Sequence, residues 1–230
     1  MRPSLLILLL VSASLQAGEL LHQGFDGSTL PKDWIPGGRP NSWSVVDGAL
    51  QGACESSDDH GPSISVPLPM KNGTVEFRVK LDQGGNCLML IDGESAFGGQ
   101  AHLLRVGLRP GGLTLQQDRG APASKMEQKK AKDAAKKAGQ SEPKPTAGQL
   151  ADPTFYRIEK IAASLQPGLK AGEWATVKVN VTGQTATVWL NGMEAAKGNG
   201  TVLDVPKARL VFLVGGGKKV WIDDVRAVAE

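Results

Sequence analysis

The sequence predicts an all-β domain of stacked antiparallel sheets or a barrel, and three observations carry that expectation. From Gly73 to Leu81, Val75, Phe77, Val79 and Leu81 alternate with Thr74, Glu76, Arg78 and Lys80, the period of a strand with one buried face. From Trp174 the same alternation runs through Val177, Val179 and Val181, and the next strand, Thr185 to Leu190, ends at Asn191-Gly192. Asn-Gly between apolar strands signals a hairpin, because both residues accept positive φ. Finally, 29 glycines and 14 prolines punctuate a dozen or so short apolar runs. None of these runs alternates with a helical pattern, which excludes a parallel α/β sheet.

Taken in order, residues 1–17 read as an export signal. Arg2 precedes an unbroken apolar run from Leu5 to Val11, and the small residues Ser12, Ala13, Ser14 and Ala17 follow. That run falls well short of the roughly 20 apolar residues of a membrane-spanning helix. Residues 18–230 are expected to form one exported sandwich, periplasmic or extracellular, with no membrane span. Strand candidates are Trp43 to Val46, Ala49 to Cys54, Ile64 to Leu68, Gly73 to Leu81, Cys87 to Ile91, His102 to Leu108 and Leu113 to Gln117. They resume at Phe155 to Ile161, Trp174 to Thr182, Thr185 to Leu190, Met193 to Ala196, Arg209 to Val214 and Val220 to Val228.

Residues 121–150 break this pattern as a charged, helical insertion. Ser124 with Glu127 three residues on reads as a capping box, Gly139 as a stop, and Asp133 with Lys137 as an i,i+4 pair. The helix has no apolar stripe. It is expected to be a solvated arm about 20 Å long, followed by a Ser-Glu-Pro-Lys-Pro-Thr linker; the alternative is a basic arm for acidic polysaccharide or a membrane surface. Lys125 to Lys144 holds seven lysines against three acids, more than the whole net charge of +3, so the sandwich itself is slightly acidic. Nucleic-acid binding is therefore not expected. Cys54 and Cys87 are either a disulfide or two small buried side chains.

Four fragments carry a resemblance. They are Gly24-Phe-Asp-Gly27 with Trp34; Trp43-Ser-Val-Val-Asp-Gly-Ala-Leu-Gln-Gly52; Gly172-Glu-Trp-Ala-Thr-Val-Lys-Val179 with Val188-Trp-Leu-Asn-Gly192; and Val220-Trp-Ile-Asp-Asp-Val225. In this order they resemble the concanavalin A-like jelly rolls, and most of all the 3-keto-disaccharide hydrolase family. The resemblance implies a two-sheet antiparallel jelly-roll sandwich with a concave sheet facing an oligo- or polysaccharide, and hydrolysis of oxidised glucosides in some members. A non-catalytic, lectin-like module is the alternative.

Candidate chemistry gathers at Asp92-Gly-Glu94, closing one strand, and at His102 and Arg105, opening the next. If the two strands pair, Asp92 and Glu94 could serve as acid and base on a glycosidic bond, or His102 beside a carboxylate could abstract a proton, with Arg105 binding substrate. Asp-Gly-Glu also suits a simple turn. Sugar rings need aromatic faces. Trp189, opposite in face to Val188, is the candidate platform among five tryptophans. Asp26 and Asp224 would meet if the chain ends pair; they suit either a structural calcium, as the resemblance implies, or turn chemistry. Asp58-Asp59-His60 reads as an exposed loop.

Overall fold

Period-two alternation sends every second side chain to one side, and here two sheets share the interior it creates. The computed structural model describes residues 18–56, 58, 60–164, 168–216 and 218–230. The expected export signal and Asp59 lie outside the described residues. In chain order the elements are β1 (Gly18–Gln23), β2 (Ile35–Gly37), β3 (Trp43–Val46), β4 (Ala49–Ala53), β5 (Ser63–Met70), β6 (Gly73–Leu81), β7 (Asn86–Glu94), β8 (Gln100–Arg109) and β9 (Gly112–Arg119). Then come α1 (Pro122–Lys137), α2 (Ala147–Ala151), β10 (Arg157–Ser164), β11 (Ala175–Thr182), β12 (Thr185–Leu190), β13 (Met193–Asn199), β14 (Lys207–Gly215) and β15 (Lys219–Ala229).

One antiparallel sheet runs β13-β12-β11-β6-β15-β4-β3, with β1 also paired to β15; the other runs β10-β9-β8-β7-β14-β5-β2. This is the expected two-sheet jelly-roll sandwich. No helix among the described residues is long and apolar enough to cross a membrane. Between the sheets, Phe212 lies parallel to Trp34, with ring centroids 6.3 Å apart, and meets Phe77 edge-on at 5.0 Å. Trp34 and Trp43 are buried in this core, so neither offers a face to a ligand. Gly52 lets Trp43 close over it, since a Cβ there would lie 2.6 Å from the indole.

The insertion departs from its expected form. Helix α1 begins earlier, at Pro122, with Ala121 as an N-cap that makes no side-chain bond. Ser124 Oγ instead accepts the Tyr156 backbone N–H at 3.1 Å, and the pair on the helix is Lys129–Asp133 at 2.8 Å rather than Asp133–Lys137. The capping box sits in the stretch read as linker, where Thr146 and Gln149 open α2. Cys54 and Cys87 are free buried thiols, and burial pushes the Cys87 pKa up to about 12.

Phe212→Ala removes the ring shared by both sheets and should destabilise the domain by about 3–5 kcal/mol, read as a lower urea midpoint. A loss under about 1 kcal/mol would mean that the interior repacks around the gap.

Candidate functional site

Strand β7 turns Cys87, Met89 and Ile91 into the core, which leaves Leu88, Leu90 and Asp92 on the outer face of its sheet. Across the register Asp92 stands opposite Arg209 of β14. On its other side regular pairing would place Leu103 opposite Asp92, since Ile91 pairs with Leu104. The register instead slips by one residue, and Asp92 pairs with His102. Leu103 is the extra residue of a β-bulge, and both Leu103 and Leu104 are buried in the core. Gly93 makes room for it, because a Cβ there would lie 2.5 Å from the Leu103 side chain and 2.6 Å from the Pro206 carbonyl oxygen. Asp92-Gly-Glu94 is thus continuous strand and not the turn its composition suggests.

The bulge aligns His102, Asp92 and Arg209 in one row across β8, β7 and β14. His102 Nδ1 lies 2.6 Å from Asp92 Oδ1, and Arg209 donates to Oδ2 from Nη2 at 2.7 Å and Nε at 3.2 Å. Asp92 is 1% exposed. Burial alone pushes its carboxyl up, but the hydrogen bonds and charges of His102 and Arg209 prevail and hold it below the ordinary aspartate value. An ionised carboxylate only accepts, so Nδ1 carries the imidazole proton.

Beside this row sits a second buried carboxylate, Asp118 of β9. It accepts from Arg105 Nε at 2.5 Å and Nη2 at 3.1 Å, from the Tyr156 hydroxyl at 2.9 Å and from Lys125 Nζ at 3.3 Å. Burial raises its pKa, and the Arg105, Lys125 and His102 contributions override that, so it too is lowered. The Tyr156 phenol is raised, by burial first and then by the Asp118 charge. Lys125 lies on α1, and Gln128 of α1 donates to the Tyr156 carbonyl at 2.8 Å. These bonds, with that of Ser124, dock the helix over the outer face of the β10-to-β2 sheet. The insertion is therefore a wall of the site, not a free arm.

Between sheet and helix lies a cleft of about 1120 Å³. Leu88, Leu90, Val211 and Leu213 form its apolar floor, and Asp92, His102, Arg105, Arg209 and Tyr156 reach it from the sheet side. Four α1 lysines, Lys125, Lys129, Lys132 and Lys136, line the opposite wall, and His60, expected in an exposed loop, also lines it.

Of the residues singled out from the sequence, Asp92, His102 and Arg105 converge here. Glu94 does not; it is exposed, paired with Gln100, and is not among the residues lining the cleft. Trp189 is on the outer face of the other sheet, where Lys178 Nζ lies 5.7 Å from its ring centroid. Trp174 and Trp221 flank Lys80 on that same face, at 5.0 and 4.5 Å. Asp26 is exposed near Asp223, whereas Asp223 and Asp224 each accept from Arg78 Nη1 at 3.3 Å. A guanidinium bound to both carboxylates does not fit a calcium site, and no group of three or more His, Cys, Asp or Glu among the described residues could hold a metal ion. Arg209, Asp118 and Tyr156 are additions from the structure.

The model of a 3-keto-alpha-glucoside-1,2-lyase-like domain matches residues 22–227. No curated protein matches the sequence. Among solved structures, a Bacillus subtilis protein with a galectin-like fold aligns at 11% identity over 94% of this chain and 99% of its own, with a TM-score of 0.58. LamA from Z. galactanivorans, in complex with laminaritriose and laminaritetraose, aligns at 13% identity over 91% and 98%, with a TM-score of 0.56. The laminarinase catalytic domain of Thermotoga maritima aligns at 12% over 93% and 98%, with a TM-score of 0.54. At these identities the likeness is one of fold.

Asp118→Asn leaves Arg105 buried without its counter-charge and should cost about 3–5 kcal/mol at neutral pH by urea unfolding. Because the folded pKa of Asp118 is lowered, the native contribution is fully present above the ordinary value of 3.8 and is lost as pH falls through the folded value. The gap between native protein and variant should therefore close in acid, and a gap independent of pH would contradict the assignment. Gly93→Ala should expel Leu103 from the bulge and cost about 1–3 kcal/mol, visible as a lower melting temperature.

Proposed function

The chain belongs to the 3-keto-alpha-glucoside-1,2-lyase-like domain family, and on the geometry of its cleft we propose that it binds a 3-keto glycoside there and cleaves the glycosidic bond by proton abstraction. Protonation of Nδ1 against ionised Asp92 carries this reading. It leaves Nε2 of His102 as the basic nitrogen of a ring that is 28% exposed and lines the cleft.

The hydrogen at C2 of such a sugar is acidic because the electron pair left behind becomes an enolate with the C3 carbonyl. His102 Nε2 takes that proton. Collapse of the enolate forms the C1–C2 double bond and breaks the bond from C1 to the glycosidic oxygen, which takes a proton back from the imidazolium. The products are an unsaturated keto sugar and an alcohol, with no net oxidation. Asp92 holds the ring in its tautomer and offsets the imidazolium charge, while Arg209 and the α1 lysines favour the enolate oxygen.

Hydrolysis by paired carboxyls has less support. A glycosidase acid must hold a proton at working pH, and both Asp92 and Asp118 are lowered by the cations around them. Arg2 and the Leu5 to Val11 run support a site of action after export.

The test is incubation with a 3-keto glucoside, following alcohol release, enone absorbance and deuterium exchange at C2. His102→Ala should lose about 10²- to 10⁴-fold in rate while still binding the glycoside. Retained turnover in that variant would refute the base assignment, and a keto sugar released without an enone would identify hydrolysis. Binding with neither product would make the protein a lectin-like module.

A further inference from the structure

Resting on the reading of this cleft as a saccharide site, we infer that its saccharide is anionic and carries carboxylate or sulfate groups. The first observation is the spacing of the α1 lysines. Lys125, Lys129, Lys132 and Lys136 stand at i, i+4, i+7 and i+11, which is one stripe of a helix, and all four line the cleft. Lys130 and Lys137 are not among the lining residues. A helix held by ordinary packing would turn an apolar stripe to the sheet, but among its described residues α1 buries only Ala135. It borders the cleft with cations instead, and Lys129, Lys132 and Lys136 stay exposed to solvent there.

On the facing wall the two arginines are each paired with a buried carboxylate, Arg105 with Asp118 and Arg209 with Asp92, so the excess positive charge comes from the helix. Arg105 and Arg209 bring the lining cations to six, against the carboxylates Asp92, Asp133 and Glu142, with Asp118 behind them. On the helix, Lys125, Lys129 and Lys132 are paired with Asp118, Asp133 and Glu142, so six cations meet four carboxylates and the cleft keeps a positive excess that an anionic ligand would offset.

The second observation is what the cleft lacks. A site for a neutral glycan takes the apolar face of the ring on an aromatic platform. Among the described residues, Tyr156 is the one Phe, Tyr or Trp side chain lining this cleft, and Lys125 Nζ already lies 4.9 Å from its ring centroid. The tryptophans are in the core or on the other sheet. Recognition in the cleft therefore falls to charge and hydrogen bonding. Its volume of about 1120 Å³ exceeds the range of roughly 300–1,000 Å³ usual for small-molecule pockets, which points to an oligosaccharide.

The experiment is calorimetric titration of the intact protein with one glucose trisaccharide in three forms: neutral, uronate-bearing and sulfated. A second protein carries K129Q, K132Q and K136Q, with Lys125 kept because it holds Asp118; circular dichroism and thermal melting verify its fold. At low salt the charged forms should bind at least about tenfold more tightly than the neutral parent, and this preference should fall away in the triple variant and at high salt. Whichever charged form binds more tightly identifies the acidic group. Equal affinity for all three forms, or a preference unchanged in the triple variant, would overturn the inference. So would equally tight binding of inorganic polyphosphate, the mark of a basic surface without saccharide selectivity. Turnover of a neutral 3-keto glucoside with no anionic preference would leave the proposed reaction standing and remove this inference. Anionic preference with no C2 exchange on any keto sugar would do the reverse.

Discussion

A carboxylate withdrawn from water keeps its charge only if the protein replaces the hydration it has lost. Asp92 meets that condition with one partner on each oxygen, His102 on Oδ1 and Arg209 on Oδ2. Each partner comes from a neighbouring strand, so the register of three strands must agree at a single row. The bulge at Leu103 supplies the agreement on one side and regular pairing supplies it on the other. The absent side chain of Gly93 is what permits the bulge. The tautomer of His102, on which the proposed chemistry rests, follows from this one buried charge.

Asp118 applies the same physics two strands away, on β9, and joins the insertion to the sandwich. Its partners come from β8, from the segment ahead of β10 and from α1, so one carboxylate holds together three separate elements of the chain. Charge pairing and backbone hydrogen bonds dock the helix, with little apolar burial. That leaves the helix face free to carry lysines where a packed helix would carry leucines, and the cleft takes its charge from this substitution.

The two outer faces of the sandwich have separate characters. One carries tryptophans with cations stacked over them, and the other carries a polar row on an apolar floor beneath a basic helix. Likeness of fold to a laminarin-degrading enzyme and a galectin-like protein extends over nearly the whole chain, yet the groups of the candidate site belong to one face of one sheet and the helix docked on it. The sandwich is the scaffold, and the site is built on it by a bulge and an insertion.

Alternation is a local property of the chain, and for that reason the strands, the Asn191-Gly192 hairpin and the all-β class could be read directly from residue order. Asp92, His102 and Arg105 were legible as candidates because polar residues at the ends of two adjacent strands meet if the strands pair. Their common face was not, since strict alternation puts His102 with Leu104 and Val106 on the core side, and only a bulge in the folded sheet reverses it. Glu94 and Trp189 sit where their local pattern allows, but contact depends on which strands lie between them and the cleft, and that is set by the order of strands in each sheet. The lysine stripe was present in the spacing of Lys125, Lys129, Lys132 and Lys136. That it borders the cleft depended on Asp118 and Tyr156, neither of which is adjacent to it along the chain.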